Sequence, residues 1–91
     1  MITLHLPDDL AREIGITPRS GHAAKESLGE LLAAVEVGSP GLLPRILEAD
    51  GRLRRHLNLF IGETRVAREK AMAAPVRDGD EVWLLRAVSG G

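Results

Sequence analysis

The chain ends in the pattern with the clearest chemical use, Ala-Val-Ser-Gly-Gly at residues 87–91. At ordinary glycine usage of about 7%, two terminal glycines occur by chance in roughly one chain in two hundred. Glycine has no side chain that could block a narrow channel, and the carboxylate of Gly91 is the only reactive group at this end. The sequence therefore favours a tail, formed by Val88, Ser89 and Gly90, that presents this carboxylate to another molecule.

Other reactive groups are sparse and do not form the motifs of known catalytic or metal sites. The chain has no cysteine, which excludes a disulfide scaffold, a thiolate zinc site and a thiol nucleophile. It also has no G-x-S-x-G, G-x-x-x-x-G-K-[ST] or G-x-G-x-x-G motif. His5, His22 and His56 lie far apart in the sequence, without the local spacing of metal ligands. We expect neither an enzyme nor a metal-binding protein.

Length, charge and hydropathy restrict the protein to a few classes. Its 91 residues, with a mass of 9.8 kDa, are enough for one domain and too few for two. A formal net charge of −1 and a pI near 6.3 argue against a general nucleic-acid binder. The longest segment without a charged residue, Val37–Pro44, has eight residues and is too short to cross a bilayer. Since the N-terminal residues also lack the features of a signal peptide, we expect a cytoplasmic protein without nucleic-acid or membrane partners.

Strands are predicted where apolar and polar residues alternate between turn residues. Leu57, Leu59 and Ile61 are the clearest example, and a turn at Gly62–Glu63 follows them. The predicted strands are residues 2–6, a weak strand at 19–24, residues 57–61, a short return strand around Val66, and residues 81–87. Residues 67–75 are alanine-rich and irregular, because Pro75 prevents a helix from running through them.

The main helix is predicted from a capping pattern followed by an apolar stripe. Ser27 and Glu30 are three residues apart, so each side chain can cap the backbone N–H of the other. Apolar residues then recur at i, i+3, i+4 and i+7, which predicts a helix from residue 28 to about 37: Leu28, Leu31, Leu32 and Val35. Two shorter helices are predicted, one at 8–14 with Asp8 as its cap and Gly15 as its end, and one from Ser39-Pro40 to Asp50-Gly51. The elements together predict an α+β domain with helices on one face of a mixed sheet.

Strand alternation also predicts which side chains lie on the outer face of that sheet. If Leu57, Leu59 and Ile61 point into the core, Phe60 points away from it. The same alternation in the last strand turns Trp83 and Leu85 outward, near His5. These side chains either dock a partner or are covered by loops or by a second small core.

A basic cluster precedes the strand at 57–61, formed by Arg52, Arg54, Arg55 and His56. The simpler interpretation is a solvated connection between two elements. The alternative is a docking patch for an acidic partner, since arginine forms bidentate pairs with carboxylates.

The order of these elements and four motifs resemble the ubiquitin-like β-grasp sulfur carriers over essentially the whole chain. These carriers include the small subunit of molybdopterin synthase, the thiamine-pathway carrier and the carrier that feeds cysteine synthesis. The motifs are Glu26–Gly29, Arg55–Ile61, Val76–Val82 and Leu85–Gly91. The cysteine branch is the most similar, because its members share the lead into the strand seen here at Gly51–Arg55. Arg86 stands where the family usually has proline, and Gly62 where it often has asparagine, which weakens assignment to one pathway.

For the fold, the resemblance implies a ubiquitin-like β-grasp domain at residues 1–88 and a tail at residues 89–91. A mixed, twisted sheet would pack on the main helix and a second short helix, with the first and last strands parallel and adjacent at its centre. The expected core consists of Leu4, Leu6, Leu28, Leu31, Leu32, Leu57, Leu59, Ile61, Val82 and Leu84.

For function, the resemblance implies a carrier that is a co-substrate of other enzymes and binds no cofactor itself. An adenylating enzyme of the ubiquitin-activating type would activate Gly91 with its own ATP and Mg²⁺. A sulfur donor would then convert the terminus to a thiocarboxylate, and a downstream synthase would accept the sulfur for cysteine, molybdopterin, thiamine or another metabolite. Phe60, Trp83 and Leu85 would contact the activating enzyme. The alternatives are a ubiquitin-like protein modifier and an interaction module with an inert tail.

Overall fold

The computed structural model describes residues 1–87, which form five strands, three α-helices and one 3₁₀ turn. In chain order the elements are β1 (Ile2–His5), α1 (Asp8–Ile14), β2 (Arg19–His22), α2 (Leu28–Gly38), α3 (Leu42–Ile46), β3 (Leu57–Ile61), β4 (Thr64–Val66), a 3₁₀ turn (Arg68–Lys70) and β5 (Glu81–Arg86). The bounds of the elements with a predicted range agree with it to within two residues, except at α3. The predicted tail residues Val88, Ser89, Gly90 and Gly91 lie outside the described residues.

The five strands form one mixed sheet in the order β2-β1-β5-β3-β4. The first and last strands, β1 and β5, are parallel neighbours at its centre, with Leu4 opposite Val82. All other pairs are antiparallel, including β3 with β5, where Leu59 lies opposite Leu84. The predicted α+β architecture and the central parallel pair are confirmed.

One hydrophobic core lies between the sheet and the helices. Nine of the ten predicted core residues are buried, and Ile61 is partly buried against the same core. The core also contains apolar residues outside the expected list, among them Ile2, Leu42, Ile46, Leu53, Ala71 and Val76. Leu53 shows why such residues are missed by local patterns. It lies inside the basic segment, and it is buried where it forms an antiparallel bridge with Leu47.

Ser27 caps the start of α2 as predicted, while the predicted return bond from the Ser27 N–H to the Glu30 side chain is not formed. The Ser27 hydroxyl oxygen accepts a hydrogen bond from the backbone N–H of Glu30 at 3.2 Å. The apolar stripe of α2, from Leu28 to Val35, is buried. The backbone N–H of Gly29 also donates to the Met72 carbonyl oxygen at 2.9 Å, which fixes the helix against the segment before β5.

The prediction for the second short helix is wrong at both ends. Ser39 is the C-cap of α2 and donates its N–H to the Val35 carbonyl, so it does not cap a following helix. Helix α3 begins at Leu42 after Gly41, whose φ of 108° suits glycine. The cap comes from Glu36 in α2, whose carboxylate accepts hydrogen bonds from the N–H groups of Gly41 and Leu43 at 2.8 and 2.7 Å. The helix ends at Ile46 because the backbone of the next residue is extended.

The helix α1 has its predicted range, but the predicted capping role of Asp8 is wrong. Asp8 is its first helical residue and Pro7 its N-cap, and no side chain caps this end. The helix ends as predicted at Gly15, which has a left-handed backbone with φ of 78°.

Candidate functional site

A row of five side chains crosses the sheet on the face opposite the core. Strand register places one residue from every strand in this row, which runs from β2 to β4 as Arg19, His5, Trp83, Phe60 and Arg65. Neighbouring residues in each central strand are buried, so alternation turns the row away from the core. We call this row the aromatic row.

At the centre of the aromatic row, His5 and Trp83 are stacked. Their ring centroids are 3.5 Å apart and their planes differ by 1°. The second contact of the imidazole is Glu81, whose Oε1 lies 2.8 Å from His5 Nε2. The His5 side chain is only 13% exposed, because it lies between the indole and this carboxylate. The imidazole therefore packs against one face of the Trp83 ring.

The structure places Phe60, Trp83 and Leu85 on the face that strand alternation indicates, with differing exposure. Leu85 is 42% exposed, whereas Phe60 and Trp83 are only partly exposed. For Trp83 the reason is the stack with His5, which covers one face of the ring. The three residues therefore form an apolar surface in which Leu85 is exposed and the two aromatic rings are partly covered.

Sequence reasoning did not find the two arginines at the ends of the aromatic row. Arg19 lies beside His5, and Arg65 lies beside Phe60 and donates a hydrogen bond to Asn58 Oδ1 at 3.1 Å. Their place depends on strand register, for which a single sequence carries no local signal.

The last described residues, Arg86 and Ala87, form a second group of contacts. Arg86 is the final residue of β5 and lies opposite Leu57, and the N–H of Ala87 donates to the His56 carbonyl at 2.7 Å. The Arg86 guanidinium forms a two-pronged contact with Asp9, with Nε 3.3 Å from Oδ1 and Nη2 2.5 Å from Oδ2. These hydrogen bonds lower the pKa of the Asp9 carboxyl, and Asp9 in turn raises the pKa of Arg86. The end of β5 is thus attached to both β3 and α1.

The basic cluster before β3 is largely engaged within the chain. Arg52 pairs with Asp50 at 3.5 Å, and Arg54 pairs with Glu48 at 3.6 Å while donating to the Pro44 carbonyl. These contacts favour the solvated connection over a docking patch.

Two further findings concern the part of the chain that the structure describes. Across residues 1–87, no group of three or more potential metal-ligating side chains comes together. Within the same range, none of the helices is long and apolar enough to cross a membrane.

Residues 10–91 match the family described as the ThiS family. The chain belongs to the ThiS family. The match includes the C-terminal residues beyond the described structure and starts within α1.

Two relatives and one solved structure show what this ThiS-family chain is similar to. Sulfur carrier protein CysO of Mycobacterium tuberculosis is 28% identical over 99% of this chain and 98% of its own. Small archaeal modifier protein 3 of Haloferax volcanii is 32% identical over 71% of this chain and 70% of its own. A chain in the crystal structure of the Amycolatopsis orientalis BexX/CysO complex superposes with a TM-score of 0.84, at 26% identity and with both chains fully covered.

These likenesses confirm the resemblance that the sequence motifs indicate. The ThiS-family chain has the ubiquitin-like β-grasp fold, and its whole-length relatives are sulfur carrier proteins named CysO, in keeping with the cysteine branch.

Proposed function

We propose that this ThiS-family chain is a sulfur carrier whose C-terminal Gly91 is adenylated and then converted to a thiocarboxylate. The observation that carries the proposal is the similarity, along the whole length of both chains, to proteins named sulfur carrier protein CysO. The tail supports it, since Gly90 and Gly91 follow the central strand β5 after only a few residues.

The tail supplies the group on which the chemistry takes place. A carboxylate is a poor electrophile because its negative charge repels nucleophiles. An activating enzyme, with its own ATP and Mg²⁺, joins a carboxylate oxygen of Gly91 to the α-phosphorus and releases pyrophosphate. Sulfide-level sulfur from a donor then attacks the carbonyl carbon, AMP leaves, and the terminus becomes a thiocarboxylate.

The thiocarboxylate is suited to hand sulfur to a downstream synthase. Its soft sulfur anion is a good nucleophile at neutral pH, as thiolates are. The chain contains no cysteine, so no thiol of its own can intercept the activated terminus. The relatives named CysO favour a synthase of cysteine formation as the acceptor.

The activating enzyme docks on Phe60, Trp83 and Leu85. The stack with His5 supports this assignment, because a side chain that is already ordered loses little conformational entropy on binding. Trp83 and Leu85 belong to β5, the strand that continues into the tail. An enzyme that holds this face therefore also fixes the strand from which the tail emerges.

A second function is favoured by one relative. The similarity to small archaeal modifier protein 3 supports conjugation of Gly91 to lysines of other proteins. Both functions need an adenylated terminus. They differ in the product, which is a thiocarboxylate for a carrier and an isopeptide bond for a modifier.

Mass analysis after incubation with the cognate activating enzyme, ATP and a sulfur donor tests the proposal. A carrier gains the mass of one oxygen-to-sulfur exchange at Gly91. A modifier instead appears in cell extracts joined to target lysines through isopeptide bonds. An inert interaction module gives neither product.

A further inference from the structure

The central strand β5 extends beyond its parallel neighbour. Pairing between β1 and β5 runs only from Thr3 opposite Glu81 to His5 opposite Trp83. After His5 the chain leaves the sheet and enters α1 at Asp8. The last three residues of β5, Leu84–Arg86, therefore have a strand partner on the β3 side alone.

The contact between Asp9 and Arg86 lies at this one-sided end of the strand. Arg86 is on the same face of β5 as the buried Val82 and Leu84, so its side chain reaches toward the helix layer. There the guanidinium meets Asp9 in the first turn of α1 through two hydrogen bonds. Such a forked pair fixes orientation as well as distance, because each of the two nitrogens must face its own carboxylate oxygen.

The partner of Arg86 is itself fixed to the domain. Next to Asp9 in α1, Leu10 and Ala11 are buried in the core. Glu13, one turn further on, pairs with Arg45 of α3 at 3.0 Å. Asp9 therefore lies on a helix that is packed into the core, and it connects the end of β5 to that helix.

We propose that the Asp9–Arg86 ion pair is a positioning contact that takes the place of the missing strand neighbour and fixes the direction in which the chain leaves β5. The proposal rests on the proposed function, since direction matters only if Gly91 must reach a reaction centre. Five residues separate Arg86 from Gly91 and span about 17 Å when fully extended. Over that length, a change of about 10° at the base displaces the terminus by about 3 Å, which is enough to remove alignment with a reaction centre.

The size of the effect follows from the exposure of the pair. The side chains of Arg86 and Asp9 are 44% and 52% exposed. Exposed ion pairs of this kind shift an equilibrium by at most about fivefold. We therefore expect two- to fivefold changes, with the fold intact.

Four variants test the proposal: Asp9→Asn, Arg86→Gln, the exchanged pair Asp9→Arg/Arg86→Asp, and Arg45→Gln as control. The control removes an ion pair of similar exposure that also involves α1 and leaves the end of β5 attached. Two quantities are measured, hydrogen exchange of the Ala87 amide in the free protein, and kcat and KM for thiocarboxylate formation. The first does not depend on the proposed function.

We expect Asp9→Asn and Arg86→Gln to speed Ala87 exchange and to lower kcat two- to fivefold at nearly constant KM. The exchanged pair should recover at least half of both losses, and Arg45→Gln should match the wild type. Unchanged Ala87 exchange in Asp9→Asn would overturn the proposal. An effect of Arg86→Gln that is absent in Asp9→Asn and not rescued by the exchange would also overturn it, because Arg86 would then touch the enzyme directly. If the wild type accepts no sulfur from a competent enzyme, the proposed function fails, and with it the role of the pair in tail presentation.

Discussion

The stacked pair of His5 and Trp83 is the most closely defined side-chain contact of the open sheet face. Strand alternation alone places Phe60, Trp83 and Leu85 on this face, because the period of two leaves no other choice once the core residues are known. The same reasoning cannot find the Asp9–Arg86 pair. Its members are separated by 77 positions and meet only after the sheet and α1 have formed.

Replacing Trp83 by alanine should weaken binding to the activating enzyme by about 2 kcal/mol or more, as expected for a central aromatic anchor. The fold should survive, since Trp83 lies outside the core. Calorimetric titration measures the affinity, and a thermal melt checks folding.

The control for this variant is Val37→Ala, which shortens an apolar side chain that is 85% exposed at the far end of α2. It should bind like the wild type. Equal affinities of Trp83→Ala and the wild type would remove Trp83 from the docking surface.

At the scale of the elements, one carboxylate joins α2 to α3. Glu36 accepts two backbone hydrogen bonds across the turn between the helices, at Gly41 and Leu43. The beginning of α2 is predictable from sequence because Ser27 and Glu30 are close neighbours. The beginning of α3 is not, because its cap comes from the preceding helix and replaces the nearer candidate, Ser39.

Acid should weaken the hydrogen bonds by which Glu36 connects α2 to α3, and so lower the stability of the fold. The hydrogen bonds from Leu43 and Gly41 lower the pKa of Glu36 from its usual 4.5. A lowered folded-state pKa gives stability that is present above pH 4.5 and is lost as the pH falls through the folded-state value. The free energies of unfolding of the wild type and Glu36→Gln, measured with urea, should therefore differ at neutral pH and converge as the pH falls below the folded-state pKa of Glu36.

A matched variant is Glu63→Gln, which removes an exposed carboxylate from the turn between β3 and β4. At neutral pH its free energy of unfolding should equal that of the wild type. If the free energies of unfolding of Glu36→Gln and the wild type differ by the same amount in acid as at neutral pH, the capping role of Glu36 is refuted.

The two glycines of α2 should respond oppositely to alanine. A Cβ at Gly29 would lie 2.8 Å from the Met72 carbonyl oxygen, so α2 or the backbone at Met72 must shift, at about 1–3 kcal/mol. No atom lies within 4 Å of a Cβ at Gly38, where alanine should stabilise the helix by up to about 1 kcal/mol. Denaturant unfolding measures the free energy of unfolding of both variants. Equal changes would contradict the close approach of the Gly29 backbone to the Met72 carbonyl.

For the whole molecule, the position of β5 connects docking and chemistry. This strand lies at the centre of the sheet, contributes Trp83 to the open face and ends at Arg86, beside the first tail residues. Sequence motifs predict this arrangement because the terminal glycines and the β-grasp order occur together. They do not predict how the long segment between α3 and β3 closes the core, since the burial of Leu53 depends on its bridge to Leu47.

The central claim is that Gly91 carries the sulfur, and intact-mass analysis of the full-length chain beside a chain lacking Gly91 tests it most directly. Deleting Gly91 leaves residues 1–87 untouched but places the terminal carboxylate about 3.5 Å short of the adenylation centre. A misplacement of this size should lower activity by several orders of magnitude. After incubation with a competent activating enzyme, ATP and a sulfur donor, only the full-length chain should gain the mass of one oxygen-to-sulfur exchange. Equal sulfur uptake by both chains, or uptake by neither, would contradict the claim.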